Sequence, residues 1–191
     1  MMNPSSMNLL DRRFDEAFDL AVRSHRLQPR AGTSVPHLGH LLAVASMVID
    51  DGGDTDQAIG GLLHDVDLLG DAAIADVGTR FGSRVKRIVI AVGGGRPPTR
   101  AAWRSVKAEH VARLPASPLE SWRVSLADSL SEARYVRADL RQHGPLAFDA
   151  EQGRALQWYH RSLVDTYSGL VPGPMLDDYT RVVAEIESVS W

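Results

Sequence analysis

Apolar residues recur along this chain at three- and four-residue intervals, the period of an α-helix that buries one face. Leu10, Phe14, Ala17, Phe18, Ala21, Val22 and His25 form the first such stripe. Leu38, Leu41, Leu42, Ala45, Val48 and Ile49 form the second, which Gly52-Gly53 stops. Asp54 or Thr55 then caps a third helix, DQAIGGLLHDV. Its small and apolar residues cover most of its circumference, so it is expected to be central and buried. Further helical patterns cover approximately 71–80, 82–92, 99–114, 118–142, 151–169 and 175–189. The stretch PRAGTSVP, the run Gly93-Gly94-Gly95 with Pro97-Pro98, and Pro172-Gly173-Pro174 mark loops. No segment alternates with period two for long enough to make a strand, and no repeat, low-complexity tract or linker interrupts the pattern. The expectation is an all-α bundle, one domain over 8–190 preceded by a flexible N-terminus over 1–7.

Composition adds limits. The 191 residues suffice for one well-buried core, and 44% hydrophobic with 24% charged residues is ordinary globular usage. No apolar run approaches the ~20 residues needed to cross a bilayer, and the N-terminus does not read as a signal peptide. Cysteine is absent, which excludes disulfides, thiolate metal sites and cysteine nucleophiles. A cytoplasmic protein without membrane attachment is expected. The net charge of −3 argues against a nucleic acid polymer as partner. Yet eight Lys or Arg residues and no acid lie between Val77 and Lys107 (Arg80, Arg84, Lys86, Arg87, Arg96, Arg100, Arg104 and Lys107). That run is either a solvated helical face or a positive wall beside a site for a phosphorylated ligand.

The candidate chemistry begins at His64-Asp65, a polar pair at the end of the most buried helix. Buried polar groups are costly unless something satisfies them, and a divalent cation would. Adjacent helical residues point about 100° apart, so both reach one ion only near a helix end, with further ligands drawn from other helices. His40, off the apolar stripe of the second helix, and Asp128, in SWRVSLADSL with its core stripe of Trp122, Leu126, Leu130 and Ala133, are the candidates. Taken singly, each is as well read as a core histidine or a capping carboxylate. The order His…His-Asp…Asp is what points to a metal.

The chain resembles the HD superfamily of metal-dependent phosphohydrolases, and within it the (p)ppGpp hydrolases, RelA/SpoT-type hydrolase domains and small alarmone hydrolases. The resemblance rests on His25-Arg26-Leu27-Gln28-Pro29-Arg30, Gly32-Thr33, Pro36-His37-Leu38-Gly39-His40, AIGGLLHDV, FGSRVKRIV and Leu126-Ala127-Asp128, with Trp103-Arg104 and Trp158-Tyr159 in place. It implies an HD-domain helical bundle holding a single manganese ion at His40, His64, Asp65 and Asp128. The departures are specific. The family's Glu-Asp pair, which positions the attacking water, is Leu68-Leu69 here. Its lysine before Gly-Thr is Ala31, its tyrosine before the first metal histidine is His37, and its Lys and Asn after the last aspartate are Ser129 and Glu132. Hydrolysis of (p)ppGpp itself is therefore expected to be weak or absent.

Two imidazoles and two carboxylates suit Mn²⁺, with Fe²⁺ or Zn²⁺ as alternatives. Two carboxylates can replace the missing base. Asp67 lies two residues beyond Asp65, and Glu132 stands one turn beyond Asp128 on the same face, where its bland role is an ion pair with Arg30, Arg134 or Arg137. By family position, Arg30 is placed to hold a phosphate, and Arg154 and Trp158 to line the nucleotide pocket. The expected function is a metal-dependent phosphohydrolase acting on a nucleotide or related phosphorylated small molecule. The alternative is a catalytically degenerate nucleotide-binding or regulatory protein. Di-iron oxygenase chemistry, known in some HD proteins, is disfavoured because only His110 lies between the His-Asp pair and Asp128.

Overall fold

The computed structural model describes residues 10–30, 33–93, 97 and 99–191, without the side chain of Asp67. The N-terminus expected to be flexible, and Ala31, Gly32 and Arg96, lie outside the described residues. The chain forms two compact units, Met1–Gly93 and Gly94–Trp191. Among the described residues every regular element is helical, as expected, and the sole β feature is an isolated bridge between Pro29 and Pro36. No described helix is long and apolar enough to cross a membrane.

The first unit contains α1 (Arg12–His25), α2 (Leu38–Asp50), α3 (Thr55–Leu63), a 3₁₀ turn (His64–Leu69), α4 (Asp71–Phe81) and α5 (Ser83–Val92). Asp11 caps α1 by accepting from the Arg13 amide. Asp54 caps α3 through a reciprocal bond with Gln57, which resolves the choice between Asp54 and Thr55. Helix α3 packs on α1, α2 and α5, and all seven residues from Gln57 to Leu63 are buried, as its composition predicts. Its glycines explain how. A Cβ on Gly61 would stand 3.1 Å from the Ala45 Cα and 3.2 Å from the Ala45 amide nitrogen of α2, and one on Gly60 would meet the Ile88 side chain of α5. Ala17, Ala21, Leu41, Ala45, Ile59, Leu62, Leu63, Val85 and Val89 close the core around it. At the N-terminus of α3, Asp56 pairs with Arg13 at 2.8 Å and Arg84 at 3.1 Å, and Asp54 pairs with Arg84 at 2.8 Å.

The sequence stripes were drawn too wide. Phe18 and Leu42 are each 39% exposed, because α1 and α2 meet α3 through their small residues and present a narrower face to it. His40, read as lying off the stripe, is buried in line with Val44 and Val48 at helical spacing.

The second unit contains α6 (Trp103–Arg113), α7 (Leu119–His143), α8 (Ala150–Ser168) and α9 (Pro174–Glu187). Asp149 caps α8 by accepting from the Gln152 amide. Helix α7 packs on α9 and α8, and α6 packs on α8. Leu126, Leu130 and Ala133 are buried as expected, and the Trp122 indole N–H donates to the Leu114 carbonyl at 3.0 Å. A polar seam runs through this core. Tyr167 shares its hydroxyl with Ser125 and Ser129 at 2.7 and 3.1 Å, and His160 Nδ1 meets the Tyr179 hydroxyl at 2.8 Å. Burial first, and Lys107 second, push both His110 and His160 down to about 4, against the opposing pull of Asp128.

Two expectations follow. Gly61→Val forces a branched side chain against the α2 backbone and should cost about 1–3 kcal/mol of unfolding free energy in denaturant titration. The two histidines fold neutral but become cationic when unfolded near pH 6.5. Their contribution is complete above about pH 6.5 and is lost as the pH falls towards 4, on the order of a few kcal/mol between them. The melting temperature should drop across that window, and His110→Leu should make the drop shallower; an unchanged slope would contradict the assignment.

Candidate metal centre

The polar pair sits where the α-helix changes form. His64 starts the 3₁₀ turn, and its Nδ1–H donates to the Gly61 carbonyl at 2.9 Å. An unbroken α-helix would offer that carbonyl to the Asp65 amide, so the side chain competes with the helical bond at the point where the helix tightens. The bond also fixes the tautomer. With its proton on Nδ1, His64 presents the lone pair of Nε2 to its neighbours, as a ligating histidine requires.

Those neighbours are His40 and Asp65. His40 Nε2 lies 3.2 Å from His64 Nε2, and Asp65 Oδ2 lies 3.6 Å from His64 Nε2. One ligand atom from each of the three falls within 4.8 Å of the others. Both imidazoles are buried, and Asp65 is partly buried. Ring nitrogens converging on a carboxylate fit a divalent cation of the Mn²⁺, Fe²⁺ or Zn²⁺ kind. The first unit therefore brings together three of the four expected ligands.

Two more histidines extend the cluster. The His37 ring neighbours those of His25 and His40, at centroid separations of 5.5 and 5.4 Å. Its Nε2 donates to Asp65 Oδ2 at 2.7 Å. His25 is fully buried, and its Nδ1 donates to Gln28 Oε1 at 2.6 Å, while its Nε2 has no hydrogen-bond partner among the described residues. Burial holds His25 below the usual histidine range; the Gln28 bond opposes this and the nearby His37 reinforces it. Sequence reading treated His37 only as a lost tyrosine and missed its contact with Asp65. Its three-residue spacing from His40 was the available signal.

Of the remaining candidates, Arg30 is partly buried in the loop before α2, where its amide donates to the Val35 carbonyl at 2.8 Å. Asp67 belongs to the 3₁₀ turn, but its side chain lies outside the described residues. Leu68 and Leu69 are 41% and 49% exposed. In the second unit, Asp128 and Glu132 stand one turn apart on α7 and offer carboxylate oxygens within 4.8 Å of each other. Arg134 bonds Asp178 and Arg137 bonds Glu185, both on α9. On α8, Arg154 reaches the Trp191 carbonyl at 3.5 Å, and Trp158 carries the Arg104 guanidinium 4.5 Å above its ring. Arg104, also missed as a contact residue, belongs to the basic run. Arg80 pairs with Asp76, Arg84 with Asp54 and Asp56, and Arg100 with Asp149, so much of the run's charge is met by nearby acids.

Comparison with known proteins agrees with this picture. A solved structure of a metazoan ortholog of SpoT, which hydrolyzes ppGpp and plays a role in starvation responses, is similar with a TM-score of 0.75 at 21% identity, covering 93% of this chain and 97% of that one. A crystal structure from Listeria monocytogenes EGD-e is similar with a TM-score of 0.64 at 25% identity, covering 78% and 99% respectively. No curated protein matches the chain. The HD domain family matches residues 17–152, a span that takes in His40, the His64-Asp65 pair and Asp128. This chain belongs to the HD domain family.

Proposed function

We propose that the chain is a metal-dependent phosphohydrolase acting on a nucleotide or a related phosphorylated small molecule. The observation that carries this reading is the pair of buried imidazoles whose Nε2 atoms face each other at 3.2 Å beside the Asp65 carboxylate. Two ring nitrogens brought this close out of water beside a carboxylate form the mixed nitrogen–oxygen set that a divalent cation takes. Asp128 joins His40, His64 and Asp65 in the ligand set on the strength of the family resemblance. The family match passes through the boundary between the two units, which supports treating 8–190 as one functional domain. When bound, a divalent ion, with Mn²⁺ preferred over Fe²⁺ or Zn²⁺, would polarise a phosphoryl oxygen and favour ionisation of water.

The side chains divide the remaining work. Glu132 is exposed and carries its carboxylate on the face of Asp128, so it is the first candidate to take a proton from the attacking water, with Asp67 the second. Arg30 and Arg154 supply charge for phosphate, and Trp158 supplies a ring for a base to stack upon. The likeness to a ppGpp-hydrolyzing protein supports a nucleotide as substrate. Leu68 and Leu69, standing where the family has the Glu-Asp pair, favour the second reading, a regulatory protein that binds a nucleotide without turning it over. Apolar side chains cannot deprotonate water.

Purified protein loaded with Mn²⁺ should release phosphate from at least one compound in a panel of phosphorylated nucleotides. Release and metal uptake should both disappear in Asp65→Ala and Asp128→Ala, whereas (p)ppGpp itself should be a poor substrate. Tight nucleotide binding without any release would decide for the regulatory reading. Glu132→Gln separates the roles of that residue. A base should lose ~10²-fold or more in rate with metal content unchanged, a ligand should lose metal as well, and no change in either would remove Glu132 from the site.

A further inference from the structure

We infer that His37 is a positioning residue for the metal centre, holding the Asp65 carboxylate in the orientation that turns its Oδ2 towards His64. The inference rests on the proposed metal site and adds to it a residue for which the family resemblance supplies no role, since the family has tyrosine at this place. His37 stands at the N-cap of α2, where a short polar side chain would ordinarily close the helix, yet it makes no cap bond. Its ring is committed instead to Asp65 Oδ2 at 2.7 Å, short enough for a charge-assisted bond. A ring nitrogen facing a carboxylate oxygen must carry the proton, so His37 is the donor.

The surrounding chain is built to hold that ring. The His37 amide donates to the Gln28 carbonyl at 2.8 Å, the Arg30 amide to the Val35 carbonyl at 2.8 Å, and Pro29 bridges Pro36. The loop is thereby pinned at both ends. His25, oriented in turn by Gln28, and His40 both have rings tilted against that of His37. His37 is not part of the group of three whose ligand atoms converge, so its contact with the centre runs through Asp65. The oxygen that His37 holds is the one that stands 3.6 Å from His64 Nε2, so the bond fixes how the Asp65 carboxylate faces the two imidazoles.

The test uses the full chain, stripped of metal and titrated with Mn²⁺ alone and with Co²⁺ alone, together with thermal melting of the metal-free protein. His37→Phe keeps a ring of similar size but no donor, and His37→Gln restores an N–H at a comparable reach. His37→Phe should bind either ion roughly 10–100-fold more weakly than the natural protein, the range for lost ligand-orienting bonds. Its Co²⁺ absorption bands should shift as Asp65 loses its fixed orientation beside the imidazoles. His37→Gln should recover both affinity and spectrum, with the metal-free melting temperature similar in all three. If His37→Phe does not fold, His37→Asn, too short to reach Asp65, takes its place with the same expectation. Equal affinity in His37→Phe and the natural protein would overturn the inference and leave the metal site standing. So would equal weakness in the Phe and Gln variants, which would make His37 a ligand in its own right. A natural protein that takes up neither ion would overturn the metal site itself and this inference with it.

Discussion

Everything at the proposed centre depends on how closely α3 approaches α2. The separation is set by Gly61, where a Cβ would stand 3.1 Å from the Ala45 backbone. Helices packed through ordinary side chains lie about 8–10 Å apart, and a glycine facing an alanine allows the low end of that range. His40 and His64 extend from the two helices beside this contact, so the helix spacing fixes the 3.2 Å between their nitrogens. The same glycine supplies the carbonyl that holds His64 Nδ1. One residue therefore governs both the distance between the imidazoles and the tautomer of one of them.

The packing that permits this is itself braced from the solvent side. Arg13 of α1 and Arg84 of α5 converge on Asp54 and Asp56 at the start of α3. Partly exposed pairs of this kind contribute little individually, about 0–1 kcal/mol each. Here they also complement the helix dipole, since the acids sit at the N-terminus of α3. The opposite end of that helix is then left to the 3₁₀ turn that carries the His-Asp pair. Charge secures one end of α3 while the chemistry is placed at the other.

The helices were legible in the sequence because each carries a periodic stripe and most begin at a recognisable cap or follow a glycine or proline break. The central place of α3 was legible from its glycines and aliphatics, and its cap at Asp54 from the residues that follow. What the pattern overstated was the width of the buried faces. Phe18 and Leu42 fit the helical period, but a helix that meets its neighbour through alanines has no room to cover them. His40, His64 and Asp65, which the structure brings together, were singled out by residue type and order. The His37 contact was not, because it is made across a loop, by a residue whose position relative to Asp65 depends on the Gln28–His37 backbone bond. Hydrophobic periodicity carries no information about such a bond. In the basic run, Arg84 and Arg100 meet acids that lie outside the segment in sequence, Asp54, Asp56 and Asp149, pairings that local charge counting does not register.

Fold and chemistry diverge most sharply within one 3₁₀ turn. Its first two residues, His64 and Asp65, belong to the polar cluster; its last two, Leu68 and Leu69, are exposed leucines where the resemblance to (p)ppGpp hydrolases implies a Glu-Asp pair. A fold specifies where side chains stand, not what they do there. The two halves of the turn nevertheless bear unequal physical costs. Exposed leucines are common on protein surfaces and need no special explanation singly. Buried imidazoles converging on a carboxylate are costly unless satisfied, and well-packed apolar residues of similar volume would usually be at least as stable in their place. The first unit keeps four histidines and an aspartate in contact at the cost of that stability. In the proposed reading, ion binding accounts for that cost, while the leucines alter only how water and substrate are handled beside the ion. The rings of His25, His37, His40 and His64 are each hydrogen-bonded where they stand, and in the proposed reading ion binding is what gathers so many of them around one carboxylate.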